Sequence, residues 1–182
     1  MRNLSEYFDL YNYLFEMIDK NSVDQVIEFL KNYSRKIYII GNGGSMALAE
    51  HFSQDLSKKC GIRAIALNSP VNLTAYSNDI GYDSVFSEQI EVYGEEGDCL
   101  IMFSSSGNST NICEALAYAK YKKMNTISFT GFDGGVIKDY SDLNIHIPWN
   151  DYGVTESLHD IICHYIIDSL FEKFTLDKIH TL

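Results

Sequence analysis

Two histidine–carboxylate spacings in the sequence suit acid–base or metal chemistry. His51 and Asp55 stand at positions i and i+4 of one helical pattern, so they share a face of that helix. Glu156 and His164 stand eight residues apart in a second helical pattern, two turns along the same general side. Two imidazoles and two carboxylates suit zinc or another divalent metal, and the same groups serve as general acids and bases.

Neighbouring residues leave alternatives to this assignment. Asp160 and His164 also stand at i and i+4, and His159 is an alternative to His164 as the functional imidazole. Each histidine is alternatively a core residue with satisfied hydrogen bonds, and each acid a solvated surface residue. We interpret His146 as structural and His180 as part of the C-terminal tail.

Two polar loops have the composition of anion sites. The loop "GNGGS", residues 41–45, supplies flexible backbone ahead of a helix, where amide N–H groups approach anions closely. It lacks the lysine of a Walker loop, and its alternative is a plain strand-to-helix turn with Ser45 as N-cap. The loop "SSSGNST", residues 104–110, puts five hydroxyls within seven residues ahead of another helix. Because one helix cap needs one hydroxyl, this run predicts a neutral phosphate cradle.

Five short apolar runs predict the buried strands of a parallel sheet. They are KIYII (36–40), RAIAL (63–67), DCLIMFS (98–104), TISFT (126–130) and LNIHIP (143–148). Helical patterns alternate with these runs, two helical patterns precede the first, and a long one from Thr155 follows the last. The alternation predicts an α/β fold with helices on both faces of the sheet. Ligands bind at the carboxyl ends of such strands, which is where both polar loops fall.

Composition and net charge indicate the number of domains, the kinds of partner and the compartment. The chain has 182 residues, 46% of them hydrophobic, which predicts one domain with a substantial core. The formal net charge of −11 argues against a nucleic-acid or anionic-membrane surface. The sequence shows no signal peptide or membrane span, and its four cysteines have no paired spacing, so we expect a cytoplasmic protein with reduced thiols.

Five ordered motifs resemble the phosphoheptose isomerases of the sugar isomerase (SIS) fold. They are "GNGGS", "EHFSQDL", "AYSNDIGYDSVF", "SSSGNSTNI" and "ISFTGFDGG". The resemblance implies a flavodoxin-like three-layer sandwich with a five-stranded parallel sheet, in which residues 1–182 form one SIS domain. Residues 1–35 would be an N-terminal helical extension used in assembly, and residues 36–176 the α/β core. It also implies a homotetramer with active sites at subunit interfaces.

The resemblance further implies a reaction and a set of site residues. The reaction is isomerisation of sedoheptulose 7-phosphate to D-glycero-D-manno-heptose 7-phosphate, a step of heptose biosynthesis. Asp55 and His164 fall on the proton-transfer positions of the family. The positions that bind substrate are Asn42, Gly43, Gly44, Ser45, Asp79, Ser104, Ser105, Ser106 and Ser109, and those that hold zinc are His51, Asp55, Glu156 and His164.

This sequence departs from the family pattern at the proton-transfer and metal positions. Asp55 replaces the usual glutamate, Glu156 stands where well-known members carry glutamine, and Lys59 replaces an arginine. The serine loop keeps the family pattern. Two alternatives therefore stand beside the heptose isomerase: an isomerase of another ketose phosphate, and a non-catalytic phosphosugar-binding scaffold associated with a replication initiator.

Overall fold

The structure is a computed structural model that describes the backbone of residues 3–179 and the side chains of residues 3–171. His180 lies outside the described residues. The strands are β1 (Ile37–Gly41), β2 (Ala64–Ala66), β3 (Cys99–Ser104), β4 (Asn125–Thr130) and β5 (Leu143–His146). The helices are α1 (Leu4–Met17), α2 (Lys20–Lys31), α3 (Gly44–Lys58), α4 (Pro70–Asp79), α5 (Ser87–Tyr93), α6 (Thr110–Tyr121), α7 (Gly135–Tyr140) and α8 (Tyr152–Ile179), with a short 3₁₀ helix at Tyr82–Ser84.

All five strands pair in parallel in the order β2-β1-β3-β4-β5. The chain leaves β1 toward one edge to form β2 and then returns to the other side of β1 to form β3. The direction of winding therefore reverses between β1 and β3, and such a switch point leaves a crevice for ligands at the carboxyl ends of the strands. The predicted three-layer α/β architecture is confirmed.

Two cores cover the two faces of the sheet, because successive strand residues point to opposite sides. Ile37 and Ile39 of β1 face a core that also contains residues of α1, α2, α3 and α8. Tyr38 and Ile40 face a second core, which contains residues of α5, α6 and α7. α3 and α8 therefore lie on one face of the sheet and α6 on the other.

The apolar runs located all five strands, with small differences at the ends. β5 ends at His146, two residues before the predicted end and ahead of Pro148, which has no N–H for the ladder. The last helix begins at Tyr152, three residues before the pattern indicated, because the Asp151 side chain accepts the N–H of Val154 at 2.9 Å as a cap. Within residues 3–179, no helix combines the length and apolar character needed to cross a bilayer.

Candidate active site

The loops after β1 and β3 meet at the switch point and enclose a small polar cavity. Its volume is about 80 Å³. The lining residues are Asn42, Ser45, Phe103, Ser104, Ser105, Ser106, Ser109, Tyr152 and Glu156. We call this cavity the serine cradle. Both loops that the sequence marked as anion sites thus contribute to one cavity.

The hydroxyls of the serine cradle make few hydrogen bonds with the protein, and that of Ser106 accepts the Asn108 N–H at 3.3 Å. Ser105 is 4% exposed and its Oγ has no hydrogen-bond partner among the described residues. Ser109 is the N-cap of α6, yet its side chain makes no capping bond, and its Oγ lies 3.5 Å from that of Ser104. A buried hydroxyl without a partner is costly, so these groups favour a ligand that accepts hydrogen bonds. The alternative of a single capping serine does not describe this loop.

The first loop leads into α3 differently from the simple-turn alternative. The N-cap of α3 is Gly43, with φ of 55°, and Ser45 lies inside the first turn and is 4% exposed. The alternative with Ser45 as N-cap is therefore wrong. The chain turns into α3 this tightly because residue 41 is a glycine. A Cβ at Gly41 would come within 2.6 Å of the Ser45 carbonyl oxygen, so only glycine admits this close approach.

The segment "GFDGG", residues 131–135, and the start of α7 hold the backbone of the serine loop in place. The Gly131 N–H donates to the Ser105 carbonyl at 2.8 Å, and the Ile137 N–H donates to the Gly107 carbonyl at 3.1 Å. Gly107 has φ of 66°, and a Cβ there would lie 1.8 Å from the carbonyl oxygen of Gly134. The backbone of the serine loop is thus fixed by contacts that only glycine permits.

The titratable residues lie farther along α3 and α8, on the side of the sheet away from α6. Ligand atoms of His51, Asp160 and His164 all lie within 4.8 Å of one another. The His51 and His164 ring centroids are 5.0 Å apart, and Asp160 Oδ1 lies 3.9 Å from His51 Nδ1 and 3.8 Å from His164 Nε2. We call these three residues the histidine–aspartate cluster. Two imidazoles and a carboxylate are a donor set that suits zinc.

Asp55 adjoins this cluster but is held differently. Its carboxylate is buried, with Oδ2 3.7 Å from His51 Nε2 and 3.1 Å from the Lys59 ammonium. A small cavity is lined by both Asp55 and His164, together with His51 and Asp160. Asp55 and His164 therefore lie on facing helices and line the same cavity.

Glu156 lies between the serine cradle and the histidine–aspartate cluster. It lines the cradle and also a cleft of about 330 Å³ that contains His51 and Asp160. A Cβ at Gly44 would come within 2.3 Å of Glu156 Oε2, so the carboxylate lies against the start of α3, where helix polarity favours a negative charge. Partial burial raises the pKa of the Glu156 carboxyl. Glu156 is not in the group of mutually close ligand atoms found among the described residues.

Two other candidate residues lie away from the cluster. Asp79 is exposed at the last position of α4, its Oδ1 accepts from the Asn78 side chain at 2.8 Å, and it lines neither the serine cradle nor the cleft beside it. His159 is fully buried, in contact with Phe103 and Phe129. Its Nε2 lies 3.2 Å from the Thr130 carbonyl oxygen, and burial lowers its pKa to about 4. The alternative that His159 is the functional imidazole is wrong, because its ring belongs to the core.

Three further residues at the cavity were not singled out from the sequence. Asn111 and Tyr82 bond to Asn42, and Tyr152 lines the serine cradle while its ring lies against Phe132. Asn111 and Tyr82 lie within the quoted motifs "SSSGNSTNI" and "AYSNDIGYDSVF", but nothing in their spacing indicated that they meet.

Comparison with known proteins agrees with this fold. The family model described as the SIS domain matches residues 14–131, more than half of the chain. A phosphoheptose isomerase of Helicobacter pylori (strain ATCC 700392 / 26695) is 40% identical over 161 residues, which cover 85% of this chain and 83% of the relative. One from Pectobacterium atrosepticum is 38% identical over 178 residues, covering 93% and 92%. The solved phosphoheptose isomerase of Neisseria gonorrhoeae superposes with a TM-score of 0.85 at 32% identity, covering 92% of this chain and 96% of that one.

The switch-point crevice with its serine loop and the matched family model define this chain as an SIS-domain protein. Identity near 40% across most of both chains narrows the class. The chain belongs to the phosphoheptose isomerase family.

Proposed function

We propose that this chain isomerises sedoheptulose 7-phosphate to D-glycero-D-manno-heptose 7-phosphate through an enediol. The observation that carries the proposal is the arrangement of two unlike sites along the same pair of helices. The serine cradle offers the unpaired Ser105 hydroxyl and its neighbouring serines for a phosphate, and the histidine–aspartate cluster with Asp55 offers acid–base groups farther along. Relatives that are similar across most of the chain are phosphoheptose isomerases.

The separation of the two sites suits a substrate that carries phosphate far from its reacting carbons. Ser45 and His51 are six residues apart on α3, which corresponds to about 9 Å along the helix axis. Glu156 lines both cavities, so they adjoin one another. Binding energy at the phosphate would then position C1 and C2 next to the acid–base groups.

The reaction moves one proton between carbons and exchanges the positions of carbonyl and alcohol. A base removes a proton from C1 while the C2 carbonyl oxygen gains a proton, which gives the enediol. C2 then gains a proton while the C1 hydroxyl loses its proton and becomes the aldehyde carbonyl. We assign the proton transfer to Asp55 and His164, which line one cavity on facing helices. Lys59 holds the Asp55 carboxylate at 3.1 Å and thereby orients it.

The proposed cofactor is zinc or a similar divalent cation. His51, Asp160 and His164 have ligand atoms close enough for one ion, and Asp55 lies beside them. Glu156, at a zinc position by resemblance, is the remaining candidate ligand. A bound divalent ion would supply electrostatic stabilisation of the enediolate oxygens.

We further propose that the chain acts as a homotetramer in the cytoplasm. α1 exposes Leu4, Phe8, Tyr13 and Met17, and an apolar cavity of about 480 Å³ lies between α1, α2 and α8. Such an apolar face favours contact with further copies of the chain. Cys60, Cys99 and Cys163 are buried free thiols, which fits a reducing compartment. Light scattering of the purified protein tests the assembly, and a monomer at micromolar concentration would contradict it.

Turnover of sedoheptulose 7-phosphate by purified protein, with added zinc and with chelator, tests the reaction. The proposal predicts formation of the aldose phosphate, faster with zinc. A folded protein that binds the sugar phosphate and turns over a different ketose phosphate instead would move the assignment to that substrate. Binding without turnover of any ketose phosphate would support the scaffold alternative.

A further inference from the structure

An amide pair spans the crevice between the two loops of the serine cradle. Asn42 Nδ2 donates to Asn111 Oδ1 at 2.9 Å, and Asn111 Nδ2 donates back to Asn42 Oδ1 at 2.9 Å. Asn42 directly follows β1, and Asn111 lies in the first turn of α6, directly after the serine loop. We call this pair the amide bridge. It joins residues 69 positions apart in the sequence.

A third segment supports the amide bridge from the side. The Tyr82 hydroxyl, on the 3₁₀ helix between α4 and α5, donates to Asn42 Oδ1 at 2.8 Å. An amide oxygen has two lone pairs and an amide nitrogen has two N–H groups. Asn111 and Tyr82 thus occupy both lone pairs of Asn42, and Asn111 occupies one of its N–H groups. Among the described residues, no side-chain hydrogen bond uses the second N–H of Asn42.

The amide bridge joins the loops after β1 and β3, whose separation sets the width of the serine cradle. β1 and β3 are neighbouring strands whose connections run to opposite sides, so their loops diverge at the switch point. Asn42 lines the serine cradle from one loop, and four serines line it from the other, Ser104, Ser105, Ser106 and Ser109. Asn111 is 2% exposed, so its paired amide is shielded from competing water.

We propose that Asn111 is a positioning residue, which acts through Asn42 to hold the two loops at phosphate-binding distance and to aim the free Asn42 N–H at the substrate. The Tyr82 hydroxyl holds the same amide through its bond to Asn42 Oδ1. The proposal rests on the proposed function for the identity of the substrate, but the amide bridge itself requires only that the serine cradle binds a phosphate group.

Substitution of Asn111 by leucine tests this assignment, because leucine has a similar size and makes neither hydrogen bond. We expect Kd for inorganic phosphate and KM for sedoheptulose 7-phosphate to rise together by about tenfold, the size of effect expected from lost hydrogen bonds, with kcat within about twofold. Tyr82→Phe removes one exposed bond and should raise both constants by about threefold. Calorimetry with inorganic phosphate gives Kd, and initial rates give KM and kcat.

A double-mutant cycle tests whether Asn111 acts on phosphate affinity through Asn42. In an Asn42→Ala background, Asn111→Leu should change phosphate affinity by less than about twofold, because the residue it positions is gone. The matched control is Asn72→Leu, which breaks another part-buried amide pair, Asn72 with Gln89, away from the serine cradle. That variant should bind phosphate as the unmodified protein does.

The outcomes separate the amide bridge from the proposed function. Additive effects of Asn42→Ala and Asn111→Leu would overturn the positioning role, as would unchanged phosphate affinity in a folded Asn111→Leu protein. If Asn111→Leu does not fold, unchanged affinity in Tyr82→Phe overturns the proposal in the same way. A tenfold loss of phosphate affinity in a protein that never isomerises sedoheptulose 7-phosphate would support the amide bridge and contradict the proposed function.

Discussion

The serine cradle and the histidine–aspartate cluster are built differently. The cradle presents hydroxyls and backbone groups on two loops, which are held in place by close contacts at glycines and by an amide pair. The cluster consists of side chains that project from two helices. Ser105 is 4% exposed and the loop around it is fixed by Gly107 and Gly131. His51 and Asp160 are about half-exposed, with side-chain exposures of 49% and 48%. One end of the proposed site is therefore buried and braced by the backbone, and the other is open to solvent.

This difference separates binding from chemistry. A rigid, mostly neutral cradle can bind a phosphate without any change at the cluster, since its donors are already positioned. The cluster has the residue types for proton transfer, but its half-exposed side chains need a bound cation, the substrate or a second copy of the chain to exclude water. If binding and chemistry are separate, substitutions at one end of the site should leave the other end unchanged.

The largest effect should follow removal of an acid–base group. His164→Ala should lower kcat by about 1,000-fold, the scale of general acid–base catalysis, while the affinity for sugar phosphate changes by less than about threefold. Initial rates and calorimetry measure the two quantities. Asp168→Ala, one turn farther along α8 on an exposed position, is the control and should keep full activity. An equal loss of binding and turnover in His164→Ala would contradict the separation.

A methyl group at Gly107 should damage the opposite end of the site. Gly107→Ala places a Cβ against the Gly134 carbonyl, so we expect phosphate affinity to fall by about 100-fold and the free energy of unfolding to fall by more than about 2 kcal/mol. Gly61→Ala is the matched control, because Gly61 also has φ of 66° but has nothing within 4 Å of its Cβ position. Gly61→Ala should show the backbone strain, about 1–2 kcal/mol, and normal phosphate binding. Equal phosphate affinity in the two variants would show that the brace is unimportant.

A smaller effect should distinguish the two possible sets of metal ligands. Asp160→Asn should weaken zinc binding on the order of 10–100-fold, as changes close to a bound metal do, with phosphate affinity in chelator unchanged. Competition with a chromophoric chelator measures the zinc affinity, and Asp168→Asn is the control on the same helix. If Glu156→Ala weakens zinc binding and Asp160→Asn does not, the ligand set implied by the family resemblance is correct and the histidine–aspartate cluster is not the metal site.

The smallest effect concerns a histidine at the end of β5. Burial lowers the pKa of His146, whose Nδ1 lies 3.1 Å from the Thr130 hydroxyl. The unfolded chain therefore takes up a proton more readily than the folded one, and stability falls as the pH drops below about 6.5. Urea unfolding at pH 7.5 and 5.5 should show a smaller fall in stability for His146→Gln than for the unmodified protein. An identical fall in both proteins would mean that His146 does not contribute to it.

The sequence was informative where one local pattern decides the structure. Continuous apolar runs located the five strands because buried parallel strands are rich in apolar residues. The short helices α4, α5 and α7 had no comparable signal, and α4 has no buried residue to produce one. The serine loop was recognisable because five hydroxyls exceed what one helix cap requires.

The sequence was less informative where distant segments meet. His159 and His164 lie on the same helix, and only the packing of α8 on the sheet shows that His159 is buried while His164 faces α3. Asn42 and Asn111 pair because β1 and β3 are neighbours, a consequence of strand order that neither motif contains. Asp160 joined the cluster for a similar reason, since its distance to His51 depends on how α3 and α8 pack.

The most direct test of this account is calorimetric titration of sedoheptulose 7-phosphate into the metal-stripped protein and into the zinc-loaded protein. We predict that the two dissociation constants agree within about threefold, because the preformed serine cradle contributes most of the binding energy. Loss of binding on removal of the metal, with the fold intact, would contradict the account by showing that the histidine–aspartate cluster is needed for binding as well as for chemistry.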